Sequence, residues 1–261
     1  MFRSAVLAVP MAAATLLAIQ FPSGSETWSP AAAPIAYRVE SGPTDLAQLK
    51  RNYSATQLQL LEKLNRADME HLPRLKTLVV PESWTTDELA YSPLPAIYGS
   101  AEGHPKVVVI YLPGQVFGAY ENGKLVRWGP VSSGVSHSPT PPGLYHLNWK
   151  ASRHVSTEDP TWIMTWYFNF ENKDGRALHA YAMPGYPASH SCVRMLERDA
   201  QWLYEWGEQW TLDEKGWNVL EPGTPVLLVG AYDFDAPPPW RSPAWLAKKP
   251  SLPAIPDTPP L

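Results

Sequence analysis

Residues 106 to 132 read KVVVIYLPGQVFGAYENGKLVRWGPVS. Three apolar runs are separated by two turn signals, Pro113-Gly114 and Asn122-Gly123. An Asn-Gly pair tolerates the two positive φ angles that a two-residue hairpin requires, so the stretch predicts three consecutive strands in a meander. The same pattern continues downstream in GLYHLNW (143–149), WIMTWYFNF (162–170), ALHAY (177–181) and PVLLVG (225–230). Residues 196–210, LERDAQWLYEWGEQW, read instead as a helix, with Leu196, Ala200, Leu203 and Trp206 or Trp210 on one face. The main domain, placed at 104–232, is expected to be mostly β, with one substantial helix.

Working outward, residues 37–82 predict a strand at Tyr37-Arg38-Val39, a Gly42-Pro43 turn, a helix bearing Leu46 and Leu49, and a second helix. Ser54-Ala-Thr-Gln57 has capping-box spacing, Leu58, Leu61 and Leu64 follow at helical intervals, and Leu78-Val79-Val80 closes as a strand. Residues 23–36 and 83–103 are assigned as linkers. The proline-rich stretch 233–261 is expected to be a disordered tail. Residues 1–22 carry Arg3 followed by an apolar run from Ala5 to Phe21. That is the pattern of a secretory signal peptide, with an uncleaved membrane anchor as the alternative. The expected destination is across the inner membrane, in the periplasm or cell wall.

The chain has 261 residues, 44% of them hydrophobic, with twelve tryptophans and a formal net charge of −4. This supports a real core and gives no basic footprint for nucleic acid, which is excluded as a partner. His104, His137, His146 and His154 show no metal-ligand spacing with acids or cysteine, so no metal and no cofactor are expected. Glu197, Asp199, Glu205 and Glu208 read as the polar face of the helix rather than a catalytic carboxylate pair.

Cys192 is the single cysteine and lies within ASHSCVRM (188–195). A thiol exported to an oxidising compartment cannot pair within its own chain, so reactivity is the reading to weigh against an inert buried residue. Its ordinary pKa, roughly 8.5, leaves little thiolate near neutrality, and a base is required. His179 and His190 are the candidates. His190 is close in sequence but poorly placed for good geometry, whereas His179 can approach if its strand runs beside the Cys192 loop.

The stretch from His179 to Met195 resembles the catalytic signature of L,D-transpeptidases of the YkuD type. The second element of that signature is Ser189-His190-Ser191-Cys192-Val193-Arg194 here. Val131-Ser132-Ser133-Gly134, Thr140-Pro141-Pro142-Gly143 and Gly223-Thr224-Pro225-Val226 resemble its other elements. The resemblance implies a YkuD-like β-sandwich or barrel, with Cys192 as nucleophile and His179 as base. Through a thioester they would act on the stem peptides of peptidoglycan. It further implies that the Ala180 carbonyl orients the ring and that Ser191, with Ser189 and His190 nearby, shapes the oxyanion site. Tyr181 would contact substrate, and Arg194 would order the loop or meet a substrate carboxylate. Apart from the resemblance, strand alternation divides the aromatic run Trp162, Trp166, Tyr167, Phe168 and Phe170 between core and cleft wall, with Trp166 assigned to substrate binding. Two positions depart from the pattern: Ser191 and Ala180 stand where the family has glycine, and a Cβ there opposes positive φ or close approach. A hydrolase of the same fold, or a wall-binding protein with a decayed site, are the rival readings. Residues 37–82 resemble a degenerate LysM module, a cell-wall glycan binder, with a helical hairpin packed on the main domain as the alternative. The protein is expected to be a monomer, meeting the membrane only through an uncleaved N-terminal segment.

Overall fold

The computed structural model describes residues 35–43 and 45–256. The signal segment expected over 1–22 and most of the 23–36 linker lie outside them. The first elements are β1 (Tyr37–Ser41), α1 (Leu46–Asn52), α2 (Ala55–Asn65) and β2 (Thr77–Pro81). The next are β3 (Val107–Tyr111), β4 (Val116–Glu121), β5 (Lys124–Ser132), β6 (Gly143–His146), β7 (Lys150–Val155), β8 (Ile163–Glu171) and β9 (Arg176–Ala180). After these come β10 (Val193–Met195), α3 (Glu197–Trp206), β11 (Thr211–Leu212), β12 (Val219–Glu221), β13 (Pro225–Val229) and a short α4 (Pro243–Leu246).

Nine strands form one curled sheet in the order β6-β13-β3-β4-β5-β10-β9-β8-β7. The meander over 106–132 forms as expected, with Asn122 at φ 47° and Gly123 at φ 77° in its tight turn. β3 places Val107 and Val109 in one core and Val108 and Ile110 in another. Burial on both faces explains why its sequence is an unbroken apolar run rather than an alternating one. Each such side chain contributes about 1.5–3 kcal/mol.

One face packs against the other half of the sheet and α3, through Phe168, Leu178, Val193, Met195, Ala200 and Leu203. The helix stops at Gly207, short of the expected Trp210, and the chain turns into β11. The opposite face is closed by two segments assigned from sequence as appendages. Leu60, Leu64, Tyr37 and Val79 from the N-terminal segment join Val107, Val109, Tyr120 and Trp128 in a single core. The strand-helix-helix-strand order is present, with β1 and β2 antiparallel and the Ser54/Gln57 capping box formed. The segment is nevertheless not free-standing: α2 is buried nearly all round, and its Lys63 donates to the Trp128 carbonyl at 2.8 Å.

The stretch assigned to an 83–103 linker is likewise part of the fold, burying Tyr91, Leu94 and Tyr98. The disordered tail expected from 233 is corrected over its described part. Trp240 is wholly buried and Leu246 nearly so, and Leu252 and Ile255 pack on the same core. Tyr98 donates to the Pro253 carbonyl at 2.5 Å, and the Arg66 guanidinium lies 5.3 Å from the Trp240 ring centre. Proline removes helical and strand periodicity but does not stop single large side chains from burying, so composition alone misjudges such a strap.

Candidate active site

β10 is one of the elements that sequence pattern did not reveal, and the one that matters for the site. It pairs parallel with β9, in the register Val193↔Leu178, Arg194↔His179 and Met195↔Ala180, and antiparallel with β5. Side chains of paired residues project to the same side of a sheet and alternate along each strand. Cys192, one step before β10, therefore shares a face with Arg194 and His179, as diagonal neighbours across two adjacent strands. Both Cys192 and His179 line a cleft of about 420 Å³, whose wall includes Trp149, His154, Trp162 and Tyr167.

His179 is buried, and its Nδ1 lies 3.1 Å from the Ala180 carbonyl oxygen. A carbonyl can only accept, so Nδ1 carries the proton and Nε2 is left as the acceptor. Burial pulls the imidazole from 6.5 down to about 4; the Ala180 hydrogen bond opposes this, while Arg194 and His154 add to it. The Cys192 thiol is half-buried, and its sulfur sits 3.8 Å from the Gly175 carbonyl oxygen. Burial also raises the thiol pKa above 9.0. A hydrogen bond from the Ala177 backbone lowers it, Glu158 raises it, and Arg176 and Arg194 lower it. Among the described residues no hydrogen bond joins Sγ to His179. The resting pair is therefore neutral thiol and neutral imidazole, with the sulfur against the Gly175 carbonyl.

The nucleophile loop is held from behind. The Ser189 hydroxyl donates to the Cys192 carbonyl, and Ser189 N donates to Ser133 O at 3.0 Å. Thr140 Oγ1 accepts from Gly134 N at 2.9 Å and donates to the Ser191 carbonyl at 2.9 Å. One hydroxyl thus ties the 131–134 element to the turn before the sulfur. Gly134 is required for this approach, since a Cβ there would fall 2.0 Å from the Ser138 carbonyl oxygen. Gln115, wholly buried, accepts from Ser133 N at 2.8 Å and donates to Ser133 Oγ at 2.9 Å. Nothing in the local sequence marks Gln115 for this task.

Ser191 adopts φ 78°, the left-handed region that favours glycine. The departure noted in the sequence therefore falls on a residue that bears the strain. Ala180, also in place of a glycine, is an ordinary buried strand residue whose carbonyl serves His179.

The remaining residues divide. Tyr181 and Arg194 line the cleft, with the Arg194 guanidinium 4.7 Å from the Tyr181 ring centre and Nη1 3.5 Å from the Ala182 carbonyl. His190 is exposed and lies against Trp162, ring centres 4.8 Å apart, so it belongs to the cleft wall. Trp166 is a correction: it does not line the cleft but meets Tyr204 of α3 at 5.5 Å. Its φ of 53° and the register shift between Thr165 and Phe168 mark a bulge, which breaks the alternation that placed it in the wall. Trp162 and Tyr167 occupy that wall instead.

The model of the YkuD family, the L,D-transpeptidase catalytic domain, matches residues 105–228. Among solved structures, an L,D-transpeptidase (Yku) from Stackebrandtia nassauensis is similar at 26% identity over 49% of this chain and 57% of that one, TM-score 0.40. L,D-transpeptidase 1 of Mycobacterium tuberculosis is similar at 20% identity over 48% and 62%, TM-score 0.37. A cysteine-to-serine mutant of the Enterococcus faecium L,D-transpeptidase is similar at 19% identity over 48% and 50%, TM-score 0.39. The chain spans between half and about three-fifths of these solved chains. A search of curated proteins returned no match. Residues 105–228 are thus similar to the L,D-transpeptidase catalytic domain of the YkuD family.

Proposed function

We propose that the protein is an exported, cysteine-dependent L,D-transpeptidase that acts on peptidoglycan stem peptides through a thioester. The observation that carries this reading is the placement of Cys192 and His179 on one face of two paired strands, opening on the same cleft. Because the resting pair is neutral, the thiol proton passes from Sγ to Nε2 as the sulfur attacks the carbonyl carbon of the donor peptide bond. The carbonyl π electrons move to oxygen, and the charge that develops there is met by backbone N–H groups around Ser191 and Cys192. Collapse expels the leaving amine, which takes its proton from Nε2 and leaves the acyl group on sulfur. An incoming amine then attacks the thioester, losing its proton to His179, and the thiol is restored. Water in place of that amine gives the hydrolase alternative with the same residues.

The Ala180 carbonyl supports this cycle by fixing the tautomer, and it stabilises the imidazolium while the proton is held. Arg194 supplies positive charge at the cleft for a substrate carboxylate. The test is incubation of the purified protein with tetrapeptide-bearing muropeptides, with Cys192→Ala as control. A cross-linked, exchanged or cleaved product made by the unmutated chain alone supports the proposal. No product from the unmutated chain defeats it and favours the wall-binding reading, which the strained Ser191 would accompany.

A further inference from the structure

The loop from Tyr181 to Ala188 joins the strand carrying His179 to the nucleophile turn, and a residue from outside the matched domain grips it. We propose that Asp68 is a positioning residue for the active site, latching this loop through the Met183 backbone; the proposal rests on Cys192 and His179 being the reacting pair. Asp68 Oδ2 accepts from Met183 N at 2.7 Å, and Asp68 N donates to Met183 O at 3.0 Å. Ala67 forms a bridge with Pro184 beside it, and Ala67 and Met183 are both wholly buried. The carboxylate is itself held: Oδ1 accepts from Glu70 N at 3.0 Å and His71 N at 2.9 Å, and faces His71 Nδ1 at 2.6 Å.

The far half of the loop is fixed by the Ser132 hydroxyl, which donates to Tyr186 O at 2.8 Å and accepts from Ala188 N at 3.0 Å. The near half adjoins the chemistry. Tyr181 forms the cleft wall, and Arg194 reaches both the Tyr181 ring and the Ala182 carbonyl. Asp68 therefore sets where Tyr181 and Arg194 sit without touching substrate. On this view the N-terminal segment completes the catalytic architecture as well as covering the sheet.

The decisive variant is Asp68→Asn in the full chain. The turn at Glu70 and His71 needs an oxygen at Oδ1, so the amide nitrogen is left facing the Met183 N–H, donor against donor. The side-chain bond of the latch breaks while the Asp68 N–Met183 O bond and the turn survive. His71→Ala is the control, since it removes the ring and leaves the latch. Two readouts are taken: amide hydrogen exchange over 181–188, and the rate at which a carbapenem acylates Cys192, followed by mass. Asp68→Asn is expected to speed exchange at 181–188 about tenfold, leave 107–131 unchanged and slow acylation about tenfold, with His71→Ala matching wild type. Unchanged exchange at 181–188 overturns the latch, and faster exchange with wild-type acylation overturns the positioning role. A wild-type chain that takes no acyl group defeats the Cys192 assignment and with it the positioning role, while exchange still reports on the latch.

Discussion

The neutral resting pair makes the pH profile of Cys192 acylation unusually informative. The imidazole is held down to about 4 from 6.5, a difference of roughly 3 kcal/mol between its protonation states. The groups that face it have no carboxylate directly against the ring: Ala180 offers a carbonyl, and Arg194 and His154 both disfavour added positive charge. Acylation needs neutral His179, so the rate should climb through about pH 4 and then hold level until the thiol itself ionises above 9.0. At pH 5.5 roughly nine-tenths or more of the imidazole would be neutral, against about one-tenth for an unperturbed ring, so the two cases differ about tenfold in rate. The assay is single-turnover acylation by a carbapenem between pH 3.5 and 9.5, followed by intact mass, on wild type and His179→Gln. An acid limb with its midpoint at 6 or above, or a bell with no plateau, would refute the neutral-pair reasoning.

The same depression acts on stability, because the unfolded chain binds a proton at His179 that the folded chain refuses: the contribution is complete above 6.5 and is lost as pH falls toward 4. Wild type should therefore lose more Tm than His179→Gln across that window, and parallel losses would count against it. Thr140→Val should slow acylation and cost about 1–3 kcal/mol, since Gly134 N and the Ser191 carbonyl lose their shared hydroxyl, with Thr140→Ser restoring both. Ser191→Gly relieves about 1 kcal/mol of left-handed strain, partly offset by the freer unfolded chain, so Tm should rise by about 2 °C with acylation undiminished; a clear fall in either contradicts the strain. Trp240→Ala should cost about 3–5 kcal/mol and lower Tm by roughly 10 °C, measured by thermal denaturation, whereas a free tail would show no change.

The parts of the fold that were legible in the sequence are those in which neighbouring residues carry the signal. The 106–132 meander announces itself through its Asn-Gly turn, and α2 through the Ser54/Gln57 box and its leucines. β7 was invisible because KASRHV is a largely exposed edge strand with no apolar alternation. β10 was invisible because its three residues become a strand only between β5 and β9. At the site, Cys192 and His179 are readable from their chemistry and their motifs. Asp68 and Gln115 are not, since each acts by bonding distant backbone, and no local pattern encodes such a partner.

The strap of residues 240–255 has a consequence for how the molecule comes into being. Tyr98 and its partner Pro253 are separated by 155 positions, and Trp240 seals a core most of whose buried members lie before residue 145. During synthesis from the N-terminus, Val107, Tyr120 and Trp128 can meet Leu60, Leu64 and Val79 early, but their core stays incomplete until those late residues emerge. The chain cannot mature piecemeal, and an excised 105–228 fragment would present that greasy surface to water and clump rather than work.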